Sequence, residues 1–197
     1  MEFGENKEIV RKPILRSSAV FPVIHNQYYS SSIHFLGYWL LKRNIPEVTF
    51  MVTLRDQSGK TLLRKVEIID EAKAFSISLA SLLKEINLGS ETHFIGSIET
   101  EFTTMRNMVF PYPALVLEYS NKEFNTCVHT LGRIYNDSDD LNQNEEFKVP
   151  ETGFDIHETD DLHSFLSFVN GPIHNKDGYI EYVITNTKSE KHKGDFH

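Results

Sequence analysis

The sequence predicts an all-β fold: an antiparallel β-sandwich, immunoglobulin-like or related, with one short helix. Three observations carry this expectation. Apolar and polar side chains alternate with a two-residue period in several short runs. Clusters of turn-forming residues separate those runs. The 3.6-residue rhythm of an amphipathic helix is confined to one brief stretch.

The elements follow in chain order. Residues 20–25 and 32–41 are the first strand candidates. The clearest strand is 48–54, with Val48, Phe50, Val52 and Leu54 on one side and Thr49, Met51 and Thr53 on the other. The cluster Asp56-Gln57-Ser58-Gly59 then supplies a hairpin turn. On the return strand, 61–69, Leu62, Val66 and Ile68 are expected to face the core and Lys65 and Glu67 to face water. A third strand is expected at 74–79. The period then changes, and 81–88 reads as a short helix with Gly89 placed to supply a left-handed C-cap. Strand-like runs resume at 92–102, 114–119 and 123–135. Between the first two, Phe110-Pro111-Tyr112-Pro113 carries two prolines, which exclude a central paired strand there.

Residues 1–15 read as an N-terminal extension and 16–135 as the sandwich domain. Residues 136–160 form an acidic linker or loop, rich in Asp and Glu up to Glu146 and followed by Pro150 and Gly153. Strand-like segments return within 161–197, and here the chain echoes itself. Val48-Thr49-Phe50-Met51-Val52-Thr53 aligns with Ile180-Glu181-Tyr182-Val183-Ile184-Thr185, and Phe35-Leu36-Gly37 has a counterpart in Phe168-Val169-Asn170-Gly171. The tail is therefore read in one of two ways: as edge strands of the same sandwich, or as the start of a second, truncated sandwich repeat.

A hydrophobic content of 40% over 197 residues is enough for a substantial core. The net charge of −8, with basic residues short and dispersed, argues against nucleic-acid binding. No run is long and apolar enough to span a membrane, and the first residues lack the apolar stretch of a secretory signal. The single cysteine, Cys127, forbids an internal disulfide and fits a reducing compartment. A cytoplasmic location is expected, and Cys127 itself is expected to be buried and inert.

Motifs of nucleotide, nucleophile-elbow or zincin chemistry are absent from the sequence. The cluster Asp155 to His163 offers imidazole and carboxylate together, but convergence on one ion would require a flexible loop to be ordered. The acidic run 137–146 lacks the glycine and ligand spacing of a calcium loop. His25, His34, His93 and His129 lie on strand candidates, though none is paired with another histidine one residue away. No catalytic residue, metal ligand or cofactor is assigned.

The aromatic residues are more suggestive. Tyr28, Tyr29 and Tyr112 lie among Ser, Asn and Pro, where rings presented by loops can stack on sugars or on a partner surface, and they are the expected ligand-binding residues. Trp39 is expected in the core. The leading expectation is a non-catalytic recognition or assembly module that binds a protein partner, itself or a carbohydrate. Two alternatives stand beside it. One is a metal-dependent enzyme or sensor using histidine and carboxylate ligands on a small molecule or sugar; the other is an accessory domain of a larger multidomain enzyme.

Overall fold

The computed structural model describes residues 12–89, 92–109, 115–130, 133–134, 136–137, 155–157, 159–160, 164–169 and 180–196. Its elements are β1 (Arg16–His25), β2 (Ser30–Leu36), α1 (Tyr38–Lys42), β3 (Val48–Asp56), β4 (Thr61–Ile69), β5 (Ala74–Ser78), α2 (Leu79–Glu85), β6 (Phe94–Thr103), β7 (Leu115–Ser120), β8 (Asn125–Thr130), β9 (Arg133–Ile134), β10 (Ile180–Thr185) and β11 (Lys191–Phe196). The described residues are mostly antiparallel β-structure.

Two sheets share one interior. The larger has the strand order β4-β3-β6-β1-β9 and the smaller β5-β2-β7-β8, while β10 and β11 form a separate hairpin. Alternation along the strands supplies the buried faces: Phe21 and Val23 from β1, Phe50, Val52 and Leu54 from β3, Ile98 and Phe102 from β6, and Ile33, Phe35, Leu115 and Leu117 from the smaller sheet. Four rings lock the sheets together. Phe35 of the smaller sheet stands 5.1 Å from Phe50 and 5.2 Å from Phe102 of the larger, and Trp39 lies 5.1 Å from Phe102. Ring pairs at these separations add to the burial of their own area.

The smaller sheet's second strand stops earlier than its apolar pattern suggests. It ends at Leu36, and residues 38–42 turn into α1 instead of continuing to Leu41 as expected. Gly37 sits at the corner with its N–H donating to the Lys73 carbonyl at 2.9 Å, and a Cβ there would meet the Glu71 carbonyl oxygen at 2.5 Å. The corner therefore needs glycine. Trp39 is fully buried as expected, but on a helix and with its indole N–H unpartnered among the described residues.

The return strand β4 departs from expectation past its start: Leu62 packs against the core and Glu67 faces water as expected, but Val66 and Ile68 turn outward and Lys65 is half-buried. Val66 and Ile68 are 58% and 50% exposed, whereas Ile69 is 1% exposed and Leu63 is half-buried. A bulge just beyond the hairpin turn causes the outward turn of Val66 and Ile68. Asp56 N–H donates to Lys60 O at 3.0 Å, Gly59 N–H donates to Asp56 O at 2.9 Å, and Gly59 takes a φ of +84°. That turn register continues to Arg55 opposite Thr61, but Leu62 is then left over as a bulge, so the register shifts between Leu54 and Arg55 and Leu54 opposes Leu63 rather than Leu62. Because β4 is an edge strand, Lys65 lies on the inner side at the rim and reaches Glu85 of α2 at 3.1 Å.

Helix α2 also starts earlier than expected, at Leu79, and buries Leu79, Leu82 and Leu83. The left-handed residue after it is Asn87 (φ +61°), not Gly89. The run 123–135 is two strands, β8 and the short β9, rather than one. Pro22 is tolerated inside β1 because, among the described residues, β9 pairs with that edge only at Ser17 and Ser18. Among the described residues, no helix is long and apolar enough to cross a membrane.

Candidate functional site

The turn between β1 and β2 and the turn between β7 and β8 have the same construction. In the first, Asn26 N–H donates to the Tyr29 carbonyl at 2.9 Å, and the Asn26 Oδ1 accepts from the N–H groups of Tyr28 (2.8 Å) and Tyr29 (2.9 Å). In the second, Asn121 N–H donates to the Phe124 carbonyl at 3.0 Å, and its Oδ1 accepts from Glu123 (2.7 Å) and Phe124 (2.9 Å). Asparagine at the first position of a turn suits this role, since its side chain reaches the backbone two and three residues on.

Sheet pairing brings the two turns together. Strand β2 lies beside β7 with Ser30 opposite Ser120, so both loops leave the smaller sheet at the same end. Their last residues touch: the rings of Tyr29 and Phe124 have centroids 6.2 Å apart at an interplanar angle of 55°. Tyr28 is 67% exposed, Phe124 55% and Tyr29 40%. Three large rings thus stand in solvent on two braced turns.

Of the expected binding residues, the structure brings Tyr28 and Tyr29 together with Phe124, which the sequence reading did not select. A signal for Phe124 was available: Asn121-Lys122-Glu123-Phe124 repeats the spacing of Asn26-Gln27-Tyr28-Tyr29, asparagine followed three residues later by a ring. Tyr112 lies outside the described residues.

Behind this tip the clamp is firm. Ile24 N–H donates to Ser31 Oγ and Ser31 Oγ donates back to the Ile24 carbonyl, both at 2.9 Å, with Ser31 fully buried. His25 pairs with Ser30 Oγ at 3.0 Å, and Tyr119 Oη donates to the Pro22 carbonyl at 2.8 Å. Burial holds the Tyr119 phenol above its usual range, which keeps this donor protonated.

The strand histidines do not converge. His25 is buried at the base of the tip, His34 pairs with Glu118 at 2.8 Å, and His93 and His129 are exposed. Among the described residues no group of three or more His, Cys, Asp or Glu side chains is placed to hold a metal ion. Cys127 is exposed on β8, not buried as expected, because β8 is the outer strand of the smaller sheet.

Away from the tip, a concavity of about 790 Å³ lies on the outer face of the larger sheet and is walled on one side by Leu166 and Phe168. Its floor is charged but internally matched: Arg16 with Glu101 at 2.5 Å and Arg55 with Glu99 at 2.8 Å. Glu101 and Glu99 are each engaged by a guanidinium, an arrangement that braces the sheet surface. Set against known protein families, curated proteins and solved structures, the chain matches none of them.

Proposed function

We propose that this chain is a non-catalytic recognition or assembly module, meeting a protein partner, a copy of itself or a carbohydrate through the aromatic tip. One observation carries the reading: Tyr28, Tyr29 and Phe124 are exposed together on two turns whose backbones are fixed by asparagine side chains. Rings held in place lose little conformational entropy on binding, and aromatic side chains contribute much of the energy where interfaces form. Two antiparallel sheets on one core, as in immunoglobulin-like sandwiches, commonly carry binding loops at the strand ends. The reading keeps the chain in the cytoplasm, where an exposed thiol such as Cys127 stays reduced.

The test is a triple variant, Tyr28→Ala with Tyr29→Ala and Phe124→Ala, and a separate Tyr112→Ala. Binding is read on a glycan array, by self-association in analytical ultracentrifugation and by pull-down. The reading requires wild-type thermal unfolding in the triple variant together with loss of the interaction that wild type shows. Undiminished binding by a folded triple variant would overturn it.

A further inference from the structure

Strand β4 ends the larger sheet, and among the described residues it pairs with β3 alone. Its bulge lies near one end, at Leu62; from Leu63 to Ile69 it runs in unbroken register against Leu54 to Val48. A long, regular edge is a template for pairing with another strand, and chains commonly blunt such edges with central bulges, prolines or unpaired lysines. Here the strand has no proline. Its one lysine is already neutralised, with Lys65 Nζ 3.3 Å from Glu67 and 3.1 Å from Glu85. Two apolar side chains, Val66 and Ile68, stand 58% and 50% exposed along the same strand.

The residues of this edge decide what fits it. A strand that pairs antiparallel with its own copy must be centred on a residue, because paired residues share a face and neighbours along a strand alternate faces. Centring on Arg64, Lys65 or Glu67 sets that charge against itself, and like charges directly opposite are destabilising. A centre nearer either end shortens the ladder. Centring on Val66 does neither. It sets valine against valine, Lys65 against the partner's Glu67 and Arg64 against the partner's Ile68. By symmetry each unlike pair occurs twice.

We propose that the chain forms a two-fold dimer by antiparallel addition of β4 to β4 of a second copy, centred on Val66, which runs the two five-stranded sheets into one. Strand addition supplies main-chain hydrogen bonds along 63–69, the two Lys65–Glu67 pairs fix the register, and Val66 and Ile68 lose their exposure. This surface is distinct from the aromatic tip on the smaller sheet. It assigns self-association to the β4 edge and leaves the tip for a partner or a carbohydrate.

The test is sedimentation velocity of the full chain over a concentration series up to about 1 mM, where wild type should show a reversible monomer–dimer equilibrium. Lys65→Glu and Glu67→Lys each set like charges opposite one another, and each should raise the dimer dissociation constant at least about tenfold. Mixed in equal amounts, these two variants should dimerise again, because acid then stands opposite base across the axis. Val66→Asp, which touches no ion pair, should abolish the dimer. Val128→Asp on the exposed face of β8, and the triple ring variant, should dimerise as wild type does. Hydrogen exchange of wild type, which needs no variant, should show protection over 63–69 that rises with protein concentration. The proposal is overturned if wild type stays monomeric throughout the series, if the mixture associates no better than its components, or if protection rises elsewhere with 63–69 unchanged. Loss of the dimer in Val128→Asp or in the triple ring variant would equally overturn it, since the contact would then lie on β8 or at the tip.

Discussion

The rings of Tyr29 and Phe124 meet at 6.2 Å although they belong to different hairpins. Their contact exists because Asn26 and Asn121 fold two turns identically and β2 and β7 hold those turns side by side. The rings are largely solvated, so each of Tyr29→Ala and Phe124→Ala should change stability by less than about 0.5 kcal/mol in chemical denaturation. Asn121→Ala removes the acceptor for two backbone N–H groups and should cost about 1 kcal/mol. It should also weaken partner binding without removing a ring. A binding loss confined to the ring substitutions would show that turn rigidity is irrelevant.

The outward turn of Val66 on β4 makes a contrast that the alternation alone would get backwards. Val66→Ser should shift stability by less than about 0.5 kcal/mol, because Val66 faces solvent. Ile69→Ala should cost about 2–4 kcal/mol, since its side chain is enclosed in the core. Urea midpoints for the two variants decide the matter; equal losses would contradict the register set by the bulge.

In the aromatic core, Phe102 touches Phe35, Phe50 and Trp39. Phe102→Ala should cost about 3–5 kcal/mol through lost contacts and an unfilled cavity. Trp39→Phe should cost only about 1–2 kcal/mol, because the smaller ring loses volume but removes a buried N–H that has no acceptor among the described residues. Thermal unfolding of the two variants should separate clearly.

Asp56 is the hinge of the β3–β4 turn, and the hydrogen bond from the Ser58 hydroxyl at 2.6 Å, with backbone N–H donors from Lys60 and Ser58, holds its carboxyl below the usual carboxylate range. A carboxyl lowered in the folded state stabilises the fold above its unfolded pKa, and that contribution fades as pH falls through the folded value. Stability measured between pH 6 and about pH 3 should therefore decline less in Asp56→Asn than in wild type. Asparagine keeps the two backbone contacts, as Asn186 does in the second hairpin. An unchanged pH slope would exclude Asp56 as the responsible group.

By itself the sequence determined the class of structure and most of its strands. The expected runs 48–54, 61–69, 74–79 and 92–102 coincide with β3, β4, β5 and β6 to within two residues, because a two-residue rhythm is written locally. It also placed Trp39 inside and Tyr28 and Tyr29 on a turn. Tertiary structure decided what local pattern cannot encode. The one-residue bulge after Leu54 turned Val66 outward, the Gly37 corner converted a strand's end into α1, and the adjacency of β2 and β7 joined Phe124 to Tyr29. A two-residue period fixes two faces without saying which is inner, and that choice belongs to pairing between distant segments.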